Sequence, residues 1–146
     1  MVHYEGIFFD KKTEEYIHSL ESKQLDVIND ILHVTFVYNP SKDKIYNDLV
    51  GKYFDVYLIS YANDGNNSGF EVELPDYLMK YYHNYDEVNN VLKEPHITAS
   101  ISKLSNANNT KNLKFNKFEN KIKITGRFGL WIKEEDNEYL SFEKYN

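Results

Sequence analysis

The sequence predicts an α+β fold in two related halves, and three observations predict it. Strand-length runs of alternating apolar and polar residues recur along the chain, and two segments carry helical spacing between them. The order strand, helix, strand is followed by hairpin, helix, strand, and each half ends on the same short pattern: His33-Val34-Thr35-Phe36 and His96-Ile97-Thr98-Ala99. No repeat extends beyond those four residues. With 146 residues, the chain reads as one domain over 1–146, long enough to bury a core and too short for two.

The elements follow in order. Tyr4 to Phe9 reads as a first strand, and Asp10 is a good N-cap for a helix from Lys11 to Leu20 whose Tyr16, Ile17 and Leu20 form an apolar face. Ile31 to Tyr38 is a second strand, stopped by Asn39-Pro40. Tyr53 to Tyr61 alternates as a third, the cluster from Asn63 to Gly69 signals a turn, and Phe70 to Leu74 returns as a fourth, making a hairpin. Pro75-Asp76 opens a Tyr- and Leu-rich segment, Tyr77 to about Leu92, that reads as helical with a break near Asn84. His96 to Ser102, Lys121 to Lys133 and Glu138 to Tyr145 supply three more strands, and Ser105 to Asn112 reads as a loop.

The paired motif carries the chemistry. In a strand, residues two apart leave the same face about 7 Å from each other, so each His and its Thr point the same way. His33, Thr35 and Val37 share one face of their strand; His96, Thr98, Ser100 and Ser102 share one face of theirs, looking into water or a ligand groove. With five Thr and five His in the chain, two His each followed by Thr at the second position is a chance event of order 1%. A single strand His reads by default as satisfied by a backbone carbonyl; a matched pair does not. Two imidazoles and two hydroxyls in one groove suit phosphodiester chemistry without a metal, because one His takes a proton while the other gives one and the hydroxyls hold the phosphate oxygens.

These two H-x-T motifs, 63 residues apart and each preceded by a helical segment, resemble those of the two-histidine (2H) phosphoesterase superfamily, which includes 2′-5′ RNA ligase-like proteins, cyclic phosphodiesterases and phage enzymes that degrade cyclic nucleotide signals. Gly6-Ile7-Phe8-Phe9-Asp10, Gly51-Lys52 and Pro95 before His96 add to the resemblance, which covers most of residues 4 to 133. It implies a bilobed fold, two antiparallel sheets with pseudo-twofold symmetry around a central groove and helices outside. It also implies that His33 and His96 are acid and base, in an order the sequence leaves open, and that Thr35 and Thr98 bind phosphate. One imidazole must then be neutral and the other charged, giving a bell-shaped pH profile around neutrality.

Other residues are candidates for ligand contact. Tyr4, Phe8, Tyr38 and Trp131 could stack a base at the groove rim or serve the core, and Ser100 follows Thr98 on the groove face. Arg127, the single arginine beside sixteen lysines, sits between two glycines, either as a phosphate or base contact or as a surface strand residue at a bulge. His3, His18 and His83 lack metal-site spacing, no cysteine is present, and neither phosphate-loop nor dinucleotide nor serine-hydrolase motifs occur, so neither metal nor cofactor is expected. A net charge of −6 argues against coating long duplex nucleic acid and leaves a small nucleotide in a pocket. No apolar run is long enough for a membrane span and the N-terminus lacks a signal pattern, so a cytoplasmic protein with no membrane partner is expected, in the host cytoplasm if viral; oligomeric state is left open.

The expected function is therefore hydrolysis of a small cyclic nucleotide or cyclic oligonucleotide, as in a phage protein that removes a host defence signal. The alternatives are processing of a short RNA's 2′,3′-cyclic phosphate end, and a binding module that sequesters a nucleotide without turnover.

Overall fold

A computed structural model describes residues 1–146. In chain order the elements are β1 (Val2–Phe8), α1 (Lys11–Ser19), β2 (Val27–Ile28), β3 (His33–Tyr38), β4 (Tyr53–Asn63), β5 (Asn67–Glu73), α2 (Asp76–Met79), β6 (His96–Ile101), β7 (Asn116–Glu134) and β8 (Asn137–Ser141). Short 3-10 turns occupy Lys42–Lys44 and Ala107–Asn112. The protein is mostly antiparallel sheet with few helices, an α+β architecture in which helix is the minor part. No helix is long and apolar enough to cross a membrane.

Two antiparallel sheets were expected; the strands instead join in one hydrogen-bonded path, β2-β6-β5-β4-β7-β1-β3, with β8 also on β7. The cause is the length of β7. Its 19 residues pair with β4 from Asn116 to Arg127 and with β1 from Arg127 to Ile132, so one strand belongs to both halves. β3 and β6 stand near opposite ends of this path, and the sheet curves enough to bring them close together.

Alternation places the core. Val34 and Phe36 of β3 and Ile97 and Ala99 of β6 are fully buried, while His33, His96 and Thr98 on the opposite faces are half-buried. The buried set continues through Ile7, Phe70, Val72, Phe128 and Leu130, with Ile17 of α1 and Leu78 of α2 packed against the same cluster. Asp10 caps α1 as expected, its Oδ1 accepting from Thr13 N at 2.8 Å. Only Ile17 of the expected apolar face is fully buried; Tyr16 is exposed.

The expected helix from Tyr77 to Leu92 is a correction. Only Asp76–Met79 is helical, because the chain beyond it finds other partners for its backbone. His83 N donates to Phe36 O of β3 at 2.9 Å, and Asp86 Oδ1 accepts from Val88 N at 2.8 Å, with Asn90 in the left-handed region at φ 53°. Asp and Asn side chains that bond nearby backbone in this way compete with helix. In the Asn-rich loop, Ala107–Asn112 is a 3-10 turn, pinned from β5 by Asn67, whose Nδ2 donates to Asn106 O and Thr110 Oγ1.

One close approach sets how β1 and β3 pair. The register shifts between Glu5 and Gly6, and a Cβ on Gly6 would stand 2.0 Å from the carbonyl oxygen of Val34. The obstacle is backbone in a paired strand and cannot step aside. Gly6→Ala should therefore destabilise the fold by about 3 kcal/mol or more, read as a lowered urea midpoint. An unchanged midpoint would show that the strands can separate locally at no cost.

Candidate active site

The cleft lies where β3 and β6 meet, and its walls are clasped by a reciprocal exchange. The segment leading to the first motif closes the free edge of β6: β2 pairs with Ile101 and Ser100, Asn29 N donates to Ala99 O at 2.9 Å, and Asn29 Nδ2 donates to Thr98 O at 2.9 Å. The segment leading to the second motif closes the edge of β3, where His83 N donates to Phe36 O and Asn84 Nδ2 donates to Thr35 O at 3.4 Å. In both strands the same two carbonyls are taken, those of the third and fourth motif residues. Edge groups that would otherwise be open are thereby paired, and the motif strands cannot slide past each other.

Both histidines are held alike. His33 Nδ1 lies 2.9 Å from Ile31 O, and His96 Nδ1 lies 2.9 Å from Glu94 O, in each case the carbonyl two residues earlier. A carbonyl only accepts, so Nδ1 carries the proton and the lone pair of the neutral ring is on Nε2. Neither Nε2 has a hydrogen-bond partner in the protein, and both rings border one cavity of about 560 Å³. Each ring can therefore accept a proton at Nε2 when neutral or donate one when charged.

The surroundings hold both rings toward the neutral form. The His33 ring lies on Tyr4 and Phe8, with centroid separations of 4.8 and 5.4 Å, and Trp131 stacks behind Tyr4 at 6.0 Å. Burial brings His33 from its usual 6.5 down to about 4; the Ile31 carbonyl opposes this, and His96 adds to it by charge repulsion. His96 is also pushed down by burial, with the Glu94 carbonyl opposing, Lys93 and Lys111 adding to the shift and Glu71 counteracting them.

The threonines differ. Thr35 is nearly buried, borders the cavity, and its hydroxyl has no partner in the protein. Thr98 also borders the cavity, but its Oγ1 donates to Thr110 Oγ1 at 2.9 Å. Thr110 is itself held by Asn67, so Thr98 belongs to a chain of polar contacts and is not free.

Of the residues singled out in the sequence, His33, Thr35, Tyr38, His96 and Thr98 are brought together around the cavity. The others are corrections. Ser100 is fully buried beneath the segment that follows α1: it donates to Glu21 Oε1 at 2.8 Å, lies 2.7 Å from Ser68 Oγ and accepts from Leu25 N, so it cannot face a groove. Phe8 is buried and Tyr4 is covered by its stacking partners, so both support His33 from behind and present no base platform. Trp131 lies further along that row and its Nε1 points to Glu138 Oε1 at 3.4 Å. Arg127 donates to Gly51 O at 2.9 Å and lies over the rings of Phe142 and Tyr53; it ties loop to sheet, outside the cavity lining.

Sequence reasoning missed Asn29, Asn84, Lys93 and Lys111, all of which border the cavity. Lys93 had a visible signal, lying three residues before His96; the rest arrive by tertiary contact. No group of three or more His, Asp or Glu side chains is arranged so that it could hold a metal ion. No model of a known protein family matches the sequence, and no curated protein matches it.

Two stability measurements check this geometry. Because the folded pKa of His33 is depressed, the unfolded chain binds the proton more readily between pH 6.5 and about 4, and His33 removes stability as pH falls through that window. Glu5, buried on β1 and raised to about 7, acts with the opposite sign, since its stabilising contribution is lost as pH rises through 7. The informative quantity is thus the difference from His33→Gln: the parent should lose stability relative to this variant on going from pH 7 to 4. Parallel curves would mean that His33 is well solvated. The second measurement concerns the hydroxyls: Thr98→Val should lower stability by about 1 kcal/mol through the lost bond to Thr110, and Thr35→Val by much less. Equal losses would place a hidden partner on Thr35.

Proposed function

We propose that this chain is a metal-independent phosphodiesterase of the two-histidine type, acting on a small cyclic nucleotide or cyclic oligonucleotide. One observation carries the reading: two imidazoles on facing strands, each locked at Nδ1 by the carbonyl two residues back, each offering Nε2 to the same cavity beside a Thr hydroxyl. A structural histidine needs no such matched partner. The paired capture of motif carbonyls by Asn29 and Asn84 further supports a pseudo-twofold arrangement of two lobes within a single domain, as in the two-histidine superfamily.

In this reading the phosphodiester sits between the rings. One neutral Nε2 takes the proton of the attacking oxygen, of water or of a ribose hydroxyl, as that oxygen bonds to phosphorus. The other ring, protonated, gives its Nε2 proton to the departing oxygen as the P–O bond breaks. Thr35 and Thr98 hydroxyls donate to the non-bridging oxygens, where negative charge grows. Thr98 must turn from Thr110 to do so, which Thr110 tolerates because Asn67 still bonds its oxygen.

Both imidazoles are held below 6.5, so the free protein at neutral pH carries both uncharged. The bound phosphate anion must raise one of them to supply the acid. The bell-shaped profile expected around neutrality is therefore displaced: kcat/KM should peak on the acid side of pH 6.5.

Incubation with cyclic mono-, di- and trinucleotides in EDTA, with product mass as readout, tests the reading, and a short oligoribonucleotide bearing a 2′,3′-cyclic end covers the RNA alternative. His33→Ala and His96→Ala should each lower turnover about 10²- to 10⁴-fold, and the double variant should be little worse than the poorer single one, since both act in one transition state. Intact ligands throughout, recovered after stoichiometric binding, would overturn catalysis in favour of sequestration.

A further inference from the structure

Around His96 the cavity wall changes character. Lys93 and Lys111 both border the main cavity and also a second one of about 270 Å³ behind it, and His96 and Asp86 are shared by the two. This places two ammonium groups beside one catalytic ring in a chain whose net charge is −6. Neither is needed to hold the ring, which is fixed by Glu94 O.

The two lysines are not equivalent. Lys111 is paired with Asp86 Oδ2 at 3.0 Å. Lys93 is partly buried, has no carboxylate within ion-pair reach, and is left with Asn108 Oδ1 at 3.3 Å and the ring of Tyr38 at 5.6 Å. Burial disfavours its ammonium most and Lys111 repels it further, and the attraction of Asp86 and Glu87, neither within ion-pair distance, does not offset the two. An anion entering the cleft would relieve both penalties at once.

We propose that Lys93 and Lys111 form a second anion subsite next to His96, which holds a phosphate other than the one being cleaved, so that the cleft selects nucleotides carrying two or more phosphate groups over those with one. The inference rests on the phosphodiesterase reading for what happens at the histidines, but the subsite itself is a statement about binding. Asp86 is its brake: it competes with the ligand for Lys111. Its Oδ1 holds the loop through Val88 N, whereas Oδ2 faces the lysine, so the two duties are separable.

The experiment measures binding and turnover separately. Adenosine 3′,5′-bisphosphate and adenosine 5′-monophosphate are titrated calorimetrically into the parent, Lys93→Gln, Lys111→Gln and Asp86→Asn proteins, and kcat/KM is compared for a cyclic dinucleotide and a cyclic mononucleotide. The parent should bind the bisphosphate at least tenfold more tightly than the monophosphate. Each Lys→Gln change should shrink that ratio several-fold, while Asp86→Asn, which keeps an oxygen for Val88 N, should widen it. A ratio near one in the parent, or one that neither lysine alters, overturns the subsite even if cyclic nucleotides are cleaved. Lysine-dependent preference for the bisphosphate with no cleavage of any substrate would sustain the subsite and overturn the catalytic reading instead.

Discussion

Everything in the cleft depends on the exchange that joins its two walls. An antiparallel strand at a sheet edge presents unpaired carbonyls, and both motif strands would be in that position if each half closed on itself. Here each edge is filled by chain that is on its way to the other motif: Asn29 reaches Thr98 and Ala99, and the His83-Asn84 pair reaches Phe36 and Thr35. The bonds are individually modest, about 1 kcal/mol net each, and their value lies in geometry. Because they end on the carbonyls of the motif itself, they couple the position of each motif strand to the segment that leads into the other.

The same arrangement explains the electrostatic state of the site. Burial disfavours the charged form of both imidazoles, and an aromatic row covers one face of His33. What remains polar is turned forward, toward the cavity: Nε2 of each ring, the hydroxyl of Thr35 and the lysines beside His96. With both imidazoles pushed down by burial, the positive groups that face the cavity are the lysines and not the rings.

How much of this was legible in the sequence depends on the range of the interaction concerned. Local patterns were reliable: Asp10 caps its helix, the Asn- and Gly-rich cluster turns a hairpin, and the alternation of β6 buries Ile97 and Ala99 while His96 and Thr98 face the cavity. Alternation shows which residues share a face, not what will cover it, and so Ser100, on the same face as Thr98, proved to be sealed beneath Glu21 and Leu25. The segment after Met79 has helical composition, but His83 and Asn84 are recruited by β3, a partner more than forty residues away. Two-residue β2 has too few residues to carry a periodic signal, and Asn29, Asn84 and Lys111 acquire their roles only when distant parts of the chain meet.

The long shared strand has a bearing on how the molecule comes into being. β7 lies between β4 and β1 in the sheet, yet it spans Asn116–Glu134, after every strand of either half except β8. Until it is in place, no strand joins the β4-β5-β6 group to the β1-β3 pair, which are linked only by the exchange through Asn29, His83 and Asn84, and each offers an open edge. Ribosomal synthesis therefore delivers the keystone late, and the nascent chain must wait with two unfinished sheets whose most distant contacts close last. Such a topology folds slowly for its size and is most vulnerable to strand-to-strand association in that interval.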